Sequence, residues 1–310
     1  MKYKNWLNDW LNLYVKLGAK PRTYHNYCDI VRLYILPHLG EYEMEELSPT
    51  ILQTYIVKLM QTGSARKQGL ASGTVSLVVA VIQTSLHVAV DVGVASSRVL
   101  HHPQRPKVHE KRVECFSLTE QKQLEAAVLW NLTDRSFGIV LTLYTGLRVG
   151  ELMALSWDDI DLEQGMLSVN GTCRDCYQNG RFVKVIDSPK TYCSRRIIPL
   201  PQRIVEYLTI LKRRSKSDYV VSRGKKDISI RSYQKMFSTL LEKLNIPHRG
   251  FHSLRHTFAT RALECGMDVR TLAEILGHKN PNVTLTRYAH SMLEHKISMM
   301  NKVGVLLEKQ

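Results

Sequence analysis

A chain of 310 residues with 44% hydrophobic and 23% charged side chains has the composition of a soluble globular protein, and it is long enough for two domains with separate cores. Its 43 Lys and Arg against 28 Asp and Glu leave a net charge of +15, which points to a polyanionic partner, nucleic acid first. The opening M-K-Y-K-N-W-L-N-D-W lacks the apolar stretch of a secretory signal. The six cysteines have no framework spacing, so a disulfide scaffold is excluded and reduced thiols in a cytoplasmic protein are expected.

The first hundred residues read as helices. Trp6, Trp10, Leu13 and Leu17 recur at spacings of three and four, an amphipathic stripe. A second helix runs through Tyr27, Ile30, Val31 and Tyr34 and ends near Pro37 and Gly40. A third starts at Ser48 as N-cap with Pro49 behind it, and presents Ile51, Leu52, Tyr55 and Leu59. The fourth runs from about Thr74 to Gly93. Gln83, His87 and Asp91 make the apolar stretch Val75 to Val94 too polar for a membrane span, so a buried helix is expected there. Residues 1–100 thus form a small helical domain. His101 to Arg112, H-H-P-Q-R-P-K-V-H-E-K-R, falls in a linker over 101–115: it is rich in charge, carries two prolines and has little to bury. A second domain spans 116–310. It opens with a capping box at S-L-T-E, Ser117 to Glu120. Helices through Leu124 and Val128 and from Arg135 to Tyr144 follow, with Gly146 placed to end the second. Strands are predicted at Met166 to Val169, Phe182 to Ile186 and Arg196 to Leu200, with a long polar hairpin loop from Asn170 to Arg181. Helices resume near Arg203 and continue into a tail with Ile297, Met300, Val303 and Leu307 at helical spacing. The fold class is mainly α with a small antiparallel β-sheet. Residues 1–110 carry 12 basic and 8 acidic side chains and residues 111–310 carry 31 and 20, so both parts are basic enough to touch DNA.

Three motifs carry chemistry. In T-G-L-R-V-G-E-L, Arg148 opens a short helix and Glu151 follows three residues later, placed to orient the guanidinium. A guanidinium gives two parallel hydrogen bonds to a phosphate and keeps its charge, although an ordinary surface Arg–Glu pair has the same pattern. In H-S-L-R-H-T-F-A-T, His252 and Arg255 share one helix face. His252 and His256 have the spacing of a helical metal pair, but Ser253 stands where the H-E-x-x-H zinc motif has Glu, and His256 reads as a packing neighbour. The lone C-x-x-C of Cys173 and Cys176 has no second pair, so no metal or other cofactor is expected. In L-G-H-K-N-P-N-V-T-L-T-R-Y-A-H, His278 follows a helix-ending Gly277 and Tyr288 comes ten residues later.

Taken together, these motifs resemble the tyrosine recombinases, the phage lambda integrase family, from about Phe116 to Ser291. The helical first domain resembles the family's SAM-like core-binding domain in length and layout. The resemblance implies an enzyme that cuts and rejoins DNA strands site-specifically. Its catalytic set would be Arg148, Lys190, His252, Arg255, His278 and the nucleophile Tyr288, supported by Glu151. Lys190, in S-P-K-T, matches the family's hairpin lysine; Lys184 is the competitor, inside a predicted strand. Tyrosine ionises near ~10, so a base, His252 by resemblance, must take its proton as it attacks. Arg148, Arg255 and His278 would donate to the non-bridging oxygens and Lys190 would protonate the departing 5′-hydroxyl. The product is a 3′-phosphotyrosyl link, which needs neither ATP nor metal.

The implied partners are double-stranded recombination sites, a homo-tetramer on two sites and an excisionase or DNA-bending accessory protein, with no membrane. The tail either packs on its own domain or docks on a neighbouring protomer, as in the family. Many family integrases carry a further arm-binding domain; the chain opens directly on the core-binding helices, which fits either a short form like the Xer proteins or a chain lacking that domain. The long polar stretch 170–181 favours a mobile-element integrase over a Xer-like chromosome or plasmid dimer resolvase. A type IB topoisomerase and a catalytically inactive DNA-binding regulator are the rivals. The first fits poorly with the short helical domain, and the second has no use for the tyrosine.

Overall fold

The computed structural model describes residues 1–63, 69–100, 103–107, 114–178, 181–187, 195–224, 228–278 and 280, with separate positions between 297 and 307. It divides into two compact units, Met1–Lys111 and Arg112–Gln310. The whole is mainly helical with small antiparallel sheets, as the hydrophobic patterning predicts.

In the first unit, α1 (Tyr3–Asp9) passes through a π-helical stretch, Trp10–Val15, into the turn α2 (Lys16–Gly18). The expected stripe survives only in its first half. Trp6 and Trp10 are buried, but Leu13 and Leu17 are 60% and 87% exposed, and Leu11 and Val15 take the inner positions. A π turn holds more residues than an α turn, so the buried face moves out of phase with an α-helical count. Next, α3 (Pro21–Ile30) continues through a second π stretch, Val31–Ile35, into α4 (Leu36–Leu39), which contains Pro37 in its first turn. α5 (Pro49–Thr62) begins as predicted: Ser48 Oγ accepts from the Ile51 amide at 3.3 Å and Pro49 follows the cap.

α6 (Ser72–Asp91) differs from expectation in one respect. Its polar residues do not disqualify it, and by length and composition alone it could cross a membrane. Its Val75, Val78, Val79, Ile82, Leu86 and Ala89 are nevertheless buried in the unit's core with Trp6, Trp10, Ile35 and Leu59. Ser85, also buried, bonds the Tyr3 hydroxyl at 2.7 Å, and its carbonyl accepts from Trp6 Nε1 at 3.0 Å. These bonds satisfy the polar groups that burial would otherwise strand.

The second unit begins with α7 (Leu118–Trp130), capped reciprocally by Ser117 and Glu120, and α8 (Asp134–Thr145). The short α9 (Val149–Ala154) follows, then β1 (Ile160–Asp161), β2 (Met166–Val169), β3 (Thr172–Gln178), β4 (Arg181–Asp187) and β5 (Arg196–Pro199). β1, β2 and β5 make one antiparallel sheet, with Leu167 opposite Ile198 and Val169 opposite Arg196. β3 and β4 make a separate two-stranded ribbon, Thr172 opposite Asp187. The polar segment read as a long loop is therefore mostly strand. Its polar residues have tertiary partners: Arg174 pairs with Asp187 across the ribbon at 2.5 Å, and the Asp175 carboxylate accepts from the amides of Ile230 and Arg231. The unit ends in α10 (Gln202–Arg214), α11 (Ile230–Lys243), α12 (His252–Glu264) and α13 (Val269–Leu276). Phe116, Phe137, Leu141, Leu152, Tyr233, Phe237 and Leu254 form the main core, and Ala259, Leu263, Leu272 and Leu276 a smaller one. Ile297, Met300, Val303 and Leu307 of the tail are exposed.

Two glycines shape the part of this unit that matters for chemistry. Gly146 ends α8 and Gly277 ends α13, each in the left-handed conformation with φ 64°. A Cβ at position 146 would sit 2.6 Å from the Phe258 ring and 2.7 Å from Leu276 Cδ2, so the two helix ends pack directly on each other. Gly146→Ala is expected to cost roughly 1–2 kcal/mol for the backbone conformation and roughly 1–3 kcal/mol more for overpacking. Urea denaturation of the full chain, followed by circular dichroism, measures this loss.

Candidate active site

Arg148 sits between the end of α8 and the start of α9. Glu151, in the first turn of α9, accepts from the Arg148 backbone amide at 2.9 Å and from Arg148 Nη1 at 2.7 Å. The guanidinium is thus aimed by its own helix start, the arrangement expected from the spacing. Arg148 Nη2 also approaches the Gly277 carbonyl at 3.5 Å.

Arg255 is one of the largest fully buried side chains in the protein, 2% exposed. It lies on α12, which packs against α8. Its Nη1 donates to the Gly146 carbonyl at 2.7 Å, and its Nη2 to the Leu276 carbonyl at 2.7 Å and to His278 Nε2 at 2.9 Å. A guanidinium can only donate, so in this contact His278 Nε2 is the acceptor. The buried cation lies at the C-terminal ends of α8 and α13, where helix dipoles are negative. Arg255 staples the two glycine turns, one leading to Arg148 and the other to His278.

His252 opens α12 one turn before Arg255 and is exposed. Its ring stands edge-on to that of His256, with centroids 4.5 Å apart. Among the described residues no group of three or more His, Cys, Asp and Glu is placed to hold a metal ion, and Cys28, Cys115 and Cys265 are free thiols. Lys184, on β4, holds its Nζ 3.1 Å from the centre of the Tyr219 ring. Lys190 and Tyr288 lie outside the described residues.

One residue of the centre escaped sequence reasoning. Arg196, on β5, is 6% exposed and grips the same Glu151: Nη2 to Oε2 at 2.8 Å and Nη1 to Oε1 at 3.2 Å. A signal for it existed. Strand side chains alternate, Ile198 is buried, and Arg196 two residues earlier must share its face. An arginine on a buried strand face requires a partner.

Glu151 is 7% exposed. Burial pushes its carboxyl upward, but hydrogen bonds and charge from Arg196, then Arg148, outweigh this and hold it at about 2. Because the folded value lies below the ordinary 4.5, the carboxylate stabilises the fold fully above pH 4.5 and loses that contribution as pH falls toward 2. The full span is about 3 kcal/mol. Urea midpoints measured at pH 5 and pH 3 are expected to fall more steeply for the wild type than for Glu151→Gln, which is less stable at pH 5 and has no carboxyl to titrate.

In the second unit three arginines and a histidine thus converge on the ends of two glycine-capped helices. Residues 119–295 match the Phage integrase family and residues 2–60 the Phage integrase N-terminal SAM-like domain; the chain belongs to the phage integrase family. It is a tyrosine recombinase, an enzyme that breaks and rejoins DNA at specific sites. It is 27% identical to a XerC-like tyrosine recombinase of Caldanaerobacter subterraneus subsp. tengcongensis, across 97% of this chain and 82% of that protein. It is 23% identical to the transposase from transposon Tn916 of Enterococcus faecalis, across 94% and 76%. Its fold is that of a Tn1549 transposon integrase solved with transposon right end DNA: the TM-score is 0.81 at 19% identity, covering 98% of this chain and 100% of that one.

Proposed function

We propose that this recombinase integrates and excises a mobile element by cutting duplex DNA with Tyr288. The observation that carries the proposal is the convergence of Arg148, Arg255 and His278 on the turns at Gly146 and Gly277. These groups donate to the non-bridging oxygens of the scissile phosphate, where charge accumulates in the transition state. The Tyr288 oxygen bonds to phosphorus as the bond to the 5′ oxygen breaks. His252 takes the phenolic proton and Lys190 returns one to the leaving 5′-hydroxyl. The 3′-phosphotyrosyl link retains the energy of the broken ester, and a 5′-hydroxyl from another strand reverses the step.

Each protomer supplies one tyrosine, and exchanging both strands of two duplexes takes four cuts. Four copies on two DNA sites is the matching assembly. The exposed apolar side chains of the tail, Ile297, Met300, Val303 and Leu307, suit docking on a neighbouring protomer. The double-stranded target, this tetramer, an excisionase or DNA-bending helper and action in the cytoplasm complete the proposal.

The likeness to the XerC-like enzyme favours a second reading, a resolvase of chromosome or plasmid dimers. An excision assay separates the two. Cells carrying the protein's gene with its native flanks are screened by amplification across outward-facing primers. A circular joint together with a restored empty site is the result expected of an integrase. Resolution of dimeric plasmids without any circular joint would sink the mobile-element reading.

A further inference from the structure

Three consecutive carbonyls at the end of α13 take hydrogen bonds from three arginines. Arg196 Nε donates to Ile275 at 2.5 Å, Arg255 Nη2 to Leu276 at 2.7 Å and Arg148 Nη2 to Gly277 at 3.5 Å. Of the three, Arg196 also holds Glu151 with two parallel hydrogen bonds, and Glu151 holds Arg148. Its guanidinium packs against the turn itself, since a Cβ on Gly277 would come within 2.9 Å of Arg196 Nη1.

We infer that Arg196 is a positioning residue for strand cleavage: by holding Glu151 and the Ile275 carbonyl at once, it sets Arg148 and the His278 turn in fixed register. The inference rests on the assignment of Arg148 and His278 to the phosphate. The physical case is one of geometry. A buried Arg–Glu pair is a weak source of net stability, often no better than an apolar replacement. What the pair supplies is a planar fork whose Nε–H points elsewhere, here to the Ile275 carbonyl of α13. Lysine retains the charge but not the fork, and one ammonium cannot reproduce three fixed donors in one plane. Arg148 precedes α9 and His278 follows α13, and Arg196 touches the ends of both helices from β5. Loosening this brace would let the donors drift relative to each other, and small misplacements of positioned groups are expensive in rate.

The test uses the full chain, with a nicked duplex on which the wild type forms a covalent product. Arg196→Lys, Arg196→Met, Arg148→Lys and the double variant Arg196→Lys/Arg148→Lys are compared for thermal melting, DNA affinity by band shift, and rate of covalent product at saturating protein. Arg196→Lys is expected to melt cooperatively, to bind DNA as the wild type does and to cleave roughly 10–100-fold more slowly, the usual effect of removing a group that orients an active one. In the double variant the loss is expected to stay close to that of Arg148→Lys alone, because two substitutions that disable one unit do not add. A purely structural arginine would give rate losses that multiply. Multiplying losses, wild-type cleavage by Arg196→Lys, or failure of both Arg196 variants to fold would each overturn the proposal. Wild-type cleavage by Arg148→Lys would instead overturn the site assignment beneath it.

Discussion

Tyr288→Phe is expected to bind duplex DNA with wild-type affinity and to form no covalent complex with it. The substitution removes one oxygen atom from a chain whose positive charge, spread over 43 Lys and Arg, supplies the sequence-independent part of binding. That oxygen is the proposed nucleophile, and phenylalanine has nothing to put in its place. Removing the nucleophile of a covalent mechanism costs on the order of 10⁶-fold, which on a gel is a missing band. The measurement is covalent trapping: labelled duplexes tiled across the DNA flanking the gene, each nicked so that strand loss is irreversible, are incubated with protein and run under denaturing conditions. A shifted band with the wild type and none with Tyr288→Phe locates the site and identifies the residue. A band that persists in Tyr288→Phe means another residue attacks. Binding without a band in either protein points to a DNA-binding regulator or to an enzyme that needs a missing partner.

Arg255 has the second largest expected effect, and it divides into two parts. Arg255→Ala strips donors from the Gly146 and Leu276 carbonyls in a buried place, each worth about 1–3 kcal/mol when left unsatisfied, and leaves a cavity as well. This variant is expected to melt well below the wild type. Arg255→Lys keeps the charge and part of the volume but cannot serve the two carbonyls and His278 together. It is expected to fold and bind DNA while its cleavage rate falls ~10²-fold or more, the usual loss when a transition-state donor is misplaced. Melting and single-turnover trapping on the same preparations separate the two parts. Trapping by Arg255→Lys at the wild-type rate would leave Arg255 as a staple between helix ends and take it off the phosphate.

Much of this was legible because it is local. The caps at Ser48 and Ser117 and the helix-ending Gly146 depend on a few neighbouring residues, and they stand where the sequence predicts. The pairing of Arg148 with Glu151 follows from a spacing of three at a helix start. Two errors share a different origin. Leu13 and Leu17 face out because π turns break the α-helical count, and nothing in a hydrophobic pattern announces a π turn. β3 reads as a loop because its polar residues find their partners on β4 and at the start of α11, which only the folded chain brings near.

Three motifs in a set order were enough to place the chain among the tyrosine recombinases by resemblance. How their side chains meet is a matter of packing. Arg148, Arg196 and Arg255 come from three separate stretches of chain, yet their donors converge on consecutive carbonyls of one helix end. Spacing along a chain reports neighbours within a turn or a strand. The convergence of α8, α12, α13 and β5 is set by burial of Leu276 and Ile198, by packing of the half-buried Phe258 and by two glycines that let helix ends touch, and these are properties of the packed core.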